Sequence, residues 1–208
     1  MGINKINIIV LTGDHPFQEK EFDALFQNME GINYTRQELS DFVNSPDQDK
    51  YQSLVFYNFH QYVPDEKTAN SILKLTERGQ GLVILHHAIL AFPDWKEFEN
   101  ICGISDRKFG YHIGEKIKVH VEDHEHPVTK GLEDWEMVDE IYTMKSPGQD
   151  SRILLTCDHP KSMDAIAWVR EYGKSQVLCL QSGHDNETYS VPQFQQVLYR
   201  GICWSAGK

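Results

Sequence analysis

Three short uninterrupted apolar runs, Ile8 to Leu11, Leu54 to Tyr57 and Leu82 to Leu85, constrain this chain most, because strands apolar on both faces must be covered on both. Each is followed by apolar residues at helical spacing: Phe22, Leu25, Phe26 and Met29; Ala69, Ile72, Leu73 and Thr76; Trp95, Phe98, Ile101 and Cys102. Gly79 stops the second helix, and Pro93 and Gly103 bracket the third. With a weaker strand at Ile32 to Thr35, this is a βαβ series, which implies parallel pairing with right-handed crossovers.

The second half reads differently. Ile117, Val119 and Val121 alternate with charged or polar neighbours, as in a half-exposed antiparallel or edge strand. Short strands are expected at Ile153 to Leu155 and Ala165 to Val169, the latter turning at Tyr172-Gly173-Lys174 into Val177 to Leu180. A final helix presents Phe194, Val197, Leu198 and Ile202. There is no internal repeat and no linker, and 208 residues with 40% apolar content suit a single domain over 1–208.

A formal charge of −11 repels phosphodiester backbones and anionic lipid, so neither nucleic acid nor membrane is an expected partner. No apolar run approaches a membrane span and no signal-peptide pattern opens the chain, so a cytoplasmic location is expected unless a signal peptide has been removed. Cys102, Cys157, Cys179 and Cys203 stand singly in apolar stretches and read as buried reduced thiols.

Histidines fall where apolar strands end: His15 after the first, His60 after the third, His86-His87 after the fourth and His184 after a late one. In an open α/β sheet ligands bind beyond the carboxyl ends of the strands, so this spacing gathers imidazoles on one rim. Of the adjacent pair, His86 is expected to face the site and His87 to pack behind it. The stretch His120, His124 and His126 has no closed metal-site spacing and reads as structural. Asp139-Glu140, flanked by apolar residues, offers carboxylates for base, ligand or hydroxyl-acceptor roles; a solvated charge pair is the alternative.

Several blocks in order resemble the ThuA-like (trehalose utilisation) family over nearly the whole chain. They are the run from Gly79 to Ala88 ending in His86-His87; Trp95, Phe98 and Gly103; His112; His126-Pro127-Val128-Thr129 with Gly131-Leu132; Asp139-Glu140 with Tyr142; Ala167 to Arg170 with Tyr172-Gly173; Ser182-Gly183-His184; and Arg200-Gly201-Ile202 with Trp204. Two departures stand out: Asp14-His15-Pro16-Phe17 is poorer in aromatic and His residues than the family pattern, and Cys102-Gly103 replaces paired glycines.

The resemblance implies a class I glutamine-amidotransferase-like, flavodoxin-like α/β three-layer sandwich, with a mostly parallel sheet and an antiparallel extension in the second half. It also implies a link to sugar metabolism, notably keto-disaccharides. Amidotransferases need a Cys nucleophile at the strand-to-helix elbow, with a His and a carboxylate after a late strand. His184 and Glu187 lie in that late position, but the elbow carries His86-His87-Ala88, so glutaminase chemistry is excluded.

The expected catalytic group is then His86, His112 and His184 at the centre, Glu140 as base and Asp139 as its orienting partner. His15, His87, Tyr111 and Tyr142 are the expected substrate contacts. A divalent metal such as zinc could use His86, His112, His184 or Glu140, although no ligand spacing requires one. The leading expectation is a hydrolase, lyase or isomerase acting on a sugar or sugar derivative, and a homo-oligomer is allowed. Two alternatives are a non-catalytic carbohydrate-binding or sensor domain stacking sugar on Tyr111, Tyr142, Trp95 or Trp168, and an amidotransferase-like subunit that binds a partner protein.

Overall fold

The computed structural model describes residues 5–208; residues 1–4, where the N-terminal reading begins, lie outside the described residues. Its strands are β1 (Ile6–Gly13), β2 (Ile32–Glu38), β3 (Ser53–Asn58), β4 (Gly81–Leu85), β5 (Gly110–Val121), β6 (Trp135–Thr143), β7 (Arg152–Cys157), β8 (Ala165–Tyr172) and β9 (Ser175–Leu180). The helices are α1 (Glu19–Gln27), α2 (Leu39–Asn44), α3 (Glu66–Arg78), α4 (Lys96–Cys102), α5 (Asn186–Tyr189) and α6 (Pro192–Ser205).

The strands form one sheet in the order β2-β1-β3-β4-β9-β8-β7-β5-β6. Pairing is parallel from β2 through β4 to β9 and antiparallel from β9 to β6. Strand periodicity divides the core between two faces: Ile8, Val10, Val83, Leu85, Leu178 and Leu180 pack with α1 and α6 residues, whereas Ile9, Leu11, Leu82, Ile84, Val177 and Cys179 pack with residues of α2, α3 and α4. This is the expected three-layer α/β sandwich.

Helix ends follow local chemistry. Asp65 caps α3 by accepting a hydrogen bond from Thr68 N–H at 2.7 Å, and Gly79 closes the helix at φ 79°. The helix α4 begins after Trp95 rather than at Pro93 and ends at the left-handed Gly103. The hairpin of β8 and β9 turns in two residues, since Tyr172 pairs with Ser175 and Gly173 takes φ 60°. The strand β6 and the short helices α2 and α5 are additions that periodicity did not indicate.

One departure from a flat sheet positions the site. Strand β5 pairs with β7 only through Val119–Val121, but with β6 from Gly110 to Val119. The β5–β6 ribbon therefore runs on beyond the sheet, and its β6 strand reaches the carboxyl ends of β4 and β9: Asp139 binds the Gly183 amide and Tyr142 N–H meets Gln181 Oε1. Among the described residues, no helix is long and apolar enough to cross a membrane. Cys102, Cys157 and Cys179 are buried free thiols as expected, but Cys203 is only partly buried, on the outer helix α6.

Candidate functional site

Strand β4 ends at Leu85, and the next residue, His86, takes φ 54° while fully buried. A left-handed conformation costs a residue with a Cβ about 1–2 kcal/mol, so packing must hold it there. Gly183 allows that packing: at φ 129° a Cβ on it would stand 3.4 Å from His86 Cβ and 3.2 Å from Leu85 Cδ1. The result is a tight elbow at the end of a central strand, with an imidazole at its tip.

Three groups meet at that elbow. His86 Nδ1 donates to the Gln181 carbonyl at 2.8 Å, which turns Nε2 toward the site. Glu140 Oε2 lies 3.1 Å from that Nε2 and 2.8 Å from His184 Nδ1, and the two ring nitrogens are 3.4 Å apart. The Tyr142 hydroxyl stands 3.0 Å from His86 Nε2, its ring stacked on the imidazole.

The electrostatics follow from this arrangement. Burial alone would raise the Glu140 carboxyl, but hydrogen bonds and charge from His184 and His86 outweigh it and hold the carboxyl well below its usual range. The Glu140 hydrogen bond raises His184 above the ordinary histidine value, against partial burial. Burial first, then the nearby carboxylates, push the Tyr142 phenol well up, so it stays neutral. The site thus holds an ionised carboxylate between two imidazoles, the His184 ring biased toward its proton, beside a neutral phenol.

A clamp fixes His184. Asp139 accepts from Gly183 N–H at 2.9 Å and from His184 N–H at 3.1 Å. The Tyr57 and Tyr189 hydroxyls, 2.7 Å apart, reach the carbonyls of the same two residues at 2.9 and 3.0 Å. Burial raises the Asp139 carboxyl despite those amides and the nearby His86. Asp139 acts on backbone while its neighbour Glu140 acts on imidazoles, because successive strand residues point to opposite faces.

His15 and His87 form a second imidazole pair beside the first, stacked with centroids 4.2 Å apart. His87 donates from Nε2 to the Tyr57 carbonyl at 3.2 Å, and its buried Nδ1 has no partner among the described residues. Burial, reinforced by the charges of neighbouring imidazoles, holds both rings below their ordinary value, with His87 the further down. Phe59 sits edge-on to both.

Not every expected residue joins them. His112 pairs with Ile141 across the β5–β6 ribbon, which puts it on the face opposite Glu140 and Tyr142; the group of ligand-capable side chains comprises His86, Glu140 and His184 without it. Tyr111 pairs with Tyr142 but is largely exposed. His60 turns away, stacked on Phe92 with Nδ1 3.0 Å from Asn58 Nδ2. His184 takes its carboxylate from Glu140, while Glu187 is exposed on α5. Trp95 and Trp168 are core residues, the latter donating to the Cys102 carbonyl, so neither offers a stacking face. His126 is structural, as its Nδ1 accepts from Val128 N–H and its ring meets Trp204.

Four contributors went unread in the sequence. Tyr57 and Tyr189 look like ordinary core aromatics until the Gly183–His184 backbone is placed between them. Phe109, an exposed aromatic, lies edge-on to both Phe59 and Tyr142. Arg107 is buried without a carboxylate; its guanidinium donates to the carbonyls of Ala91 and Phe92, bracing the segment that follows the elbow, and burial lowers its pKa.

Fold and site define a class: a flavodoxin-like α/β sandwich whose strand-end elbow carries imidazole. The family model for ThuA, described as trehalose utilisation, matches residues 7–205, and the chain belongs to that family. Among solved structures it is similar to a ThuA-like protein from Parabacteroides merdae, at 23% identity and TM-score 0.79 over 98% of this chain and 91% of that one. It is also similar to a ThuA-like protein from Bacteroides uniformis, at 18% identity and TM-score 0.77 over 96% and 91%. A β-galactosidase from Bacillus circulans sp. alkalophilus shares the fold over 96% of this chain but 31% of its own, at 13% identity and TM-score 0.66. No curated protein matches the chain.

Proposed function

We propose that this protein is an enzyme acting on a sugar or sugar derivative, a keto-disaccharide being the favoured substrate class, through proton transfer by imidazole and carboxylate. The observation that carries the reading is the single oxygen, Glu140 Oε2, shared between His86 and His184 at the strand ends. Membership of the trehalose utilisation family supports the substrate class.

A keto group acidifies the C–H beside it, so elimination or isomerisation of such a sugar needs a base at carbon and an acid at the carbonyl oxygen. In the neutral form of its ring, His86 Nε2 offers a lone pair for the first task. His184, which keeps its proton through Glu140, serves the second, with the Tyr142 hydroxyl as a neutral donor beside it. His15, His87 and Phe59 supply a mainly apolar wall that favours one face of a sugar ring.

The test is turnover of trehalose and its 3-keto derivative, followed by NMR, in the native protein and Glu140→Gln. We expect turnover of the keto sugar, reduced about 10²–10⁴-fold in the variant at unchanged fold. Binding of either sugar without turnover would replace this reading with a carbohydrate-binding role.

A further inference from the structure

We propose that His86, Glu140 and His184 hold one divalent transition-metal ion, of the zinc, manganese or iron(II) class, with His86 Nε2, a Glu140 carboxylate oxygen and His184 Nδ1 as its ligands. The inference rests on reading these side chains as the reaction centre, with His86 Nε2 and His184 Nδ1 serving as ligands in the ion-bound state instead of as base and acid, but its test does not depend on the reaction.

The first argument is convergence. His86 Nδ1–H is committed to the Gln181 carbonyl at 2.8 Å, so Nε2 is the ring atom that faces the site, 3.1 Å from Glu140 Oε2. That oxygen also lies 2.8 Å from His184 Nδ1, and the three atoms form one ligand-capable group. A cation among them would meet a lone pair from each, with both rings then neutral.

The second argument is distance. Two ligands each ~2.0–2.1 Å from a tetrahedral ion stand about 3.3 Å apart. The three separations here are 2.8, 3.1 and 3.4 Å, so small adjustments would bring an ion within bonding range of all three.

The third argument is what surrounds the ligands. A metal-binding imidazole commonly donates its other N–H to a carbonyl or carboxylate, as His86 does to Gln181. The backbone carrying His184 is held at its amide by Asp139 and at its carbonyl by Tyr189, which fixes where the ring begins. Two imidazoles and one carboxylate leave a coordination position open, the pattern of catalytic rather than structural sites, and select borderline ions over calcium or magnesium. In that position the ion would polarise a substrate carbonyl oxygen.

The competing imidazole–carboxylate group, His120 with Asp134 at 2.8 Å and Asp158 at 3.2 Å, lies on the surface and serves as the control. The experiment strips the full chain with a chelator and titrates it with Zn²⁺ or Mn²⁺ by calorimetry. Native protein, Glu140→Gln, His184→Ala and His120→Ala are compared, with circular dichroism reporting the fold. We expect one ion per chain, affinity at least tenfold weaker in both site variants, and no change in His120→Ala. A hundredfold excess of ion over Kd should raise the native Tm by about 5–10 °C.

No measurable binding, or less than a tenfold loss in the folded Glu140→Gln protein, overturns the proposal. The two readings fail separately. An ion that binds without sugar turnover leaves the metal site standing and removes the reaction; turnover by a protein that binds no ion leaves acid–base chemistry and removes the metal.

Discussion

His86 and His87 are adjacent in sequence and live in opposite environments. His86 points into a polar knot of carboxylate, phenol and a second imidazole, whereas His87 lies in an aromatic stack with its Nδ1 unpaired among the described residues. The contrast between the two histidine pairs runs through their charges: the Glu140 carboxylate lifts His184 toward its protonated form, while burial drives His15 and His87 toward neutrality. One residue type therefore supplies both the charged centre and a neutral wall, and the choice is made by neighbours: the β5–β6 ribbon brings Glu140 and Tyr142 to His86, whereas His87 meets His15, Tyr57 and Phe59.

The largest effect should come from separating the neighbours by mutation. His86→Asn keeps a residue that tolerates the left-handed backbone but removes the ring, and turnover should fall about 10²–10⁴-fold. His87→Phe keeps the stack and should act mainly on KM; a kcat loss as large as that of His86→Asn would erase the distinction. Next comes the clamp. Asp139→Ala leaves the buried Gly183 amide and the half-buried His184 amide without their acceptor, and should cost about 2–4 kcal/mol of stability in denaturant unfolding.

A smaller effect should appear in the pH dependence of stability. The folded values of His15 and His87 lie below the ordinary 6.5, so the unfolded chain binds protons that the folded chain refuses, and stability falls as pH drops below about 6.5. His184 acts in the opposite sense: its contribution is complete below 6.5 and is lost as pH rises through its raised folded value. The Glu140 contribution is present above 4.5 and is lost as pH falls through its depressed value. His87→Phe should reduce the acid-side slope by up to about 1.4 kcal/mol per pH unit, and an unchanged slope would show that His87 does not titrate as described.

The same contrast marks what the sequence made legible. Leu54–Tyr57 and Leu82–Leu85 are apolar throughout because helices cover both faces, and such runs can be read from one chain alone. Strand β6 could not, because Asp139 and Glu140 are both buried yet project to opposite faces, so polar residues interrupt the alternation that would have identified it. The imidazoles at the strand ends were visible, as was the acidic pair. His112 misled because a single residue of register decides which face of a ribbon a side chain takes. Tyr57, Tyr189 and Arg107 act on carbonyls, and a backbone partner leaves no trace in sequence.

The most direct test of the central claim, that Glu140 joins His86 and His184 into one charged unit apart from the neutral His15–His87 pair, is an NMR titration of the imidazoles in metal-free native protein and Glu140→Gln. The account predicts a His184 midpoint above 6.5 that falls in the variant, while His87 remains neutral through the same range in both. A His184 midpoint indifferent to the loss of the carboxylate, or a His87 that titrates with it, would contradict the account.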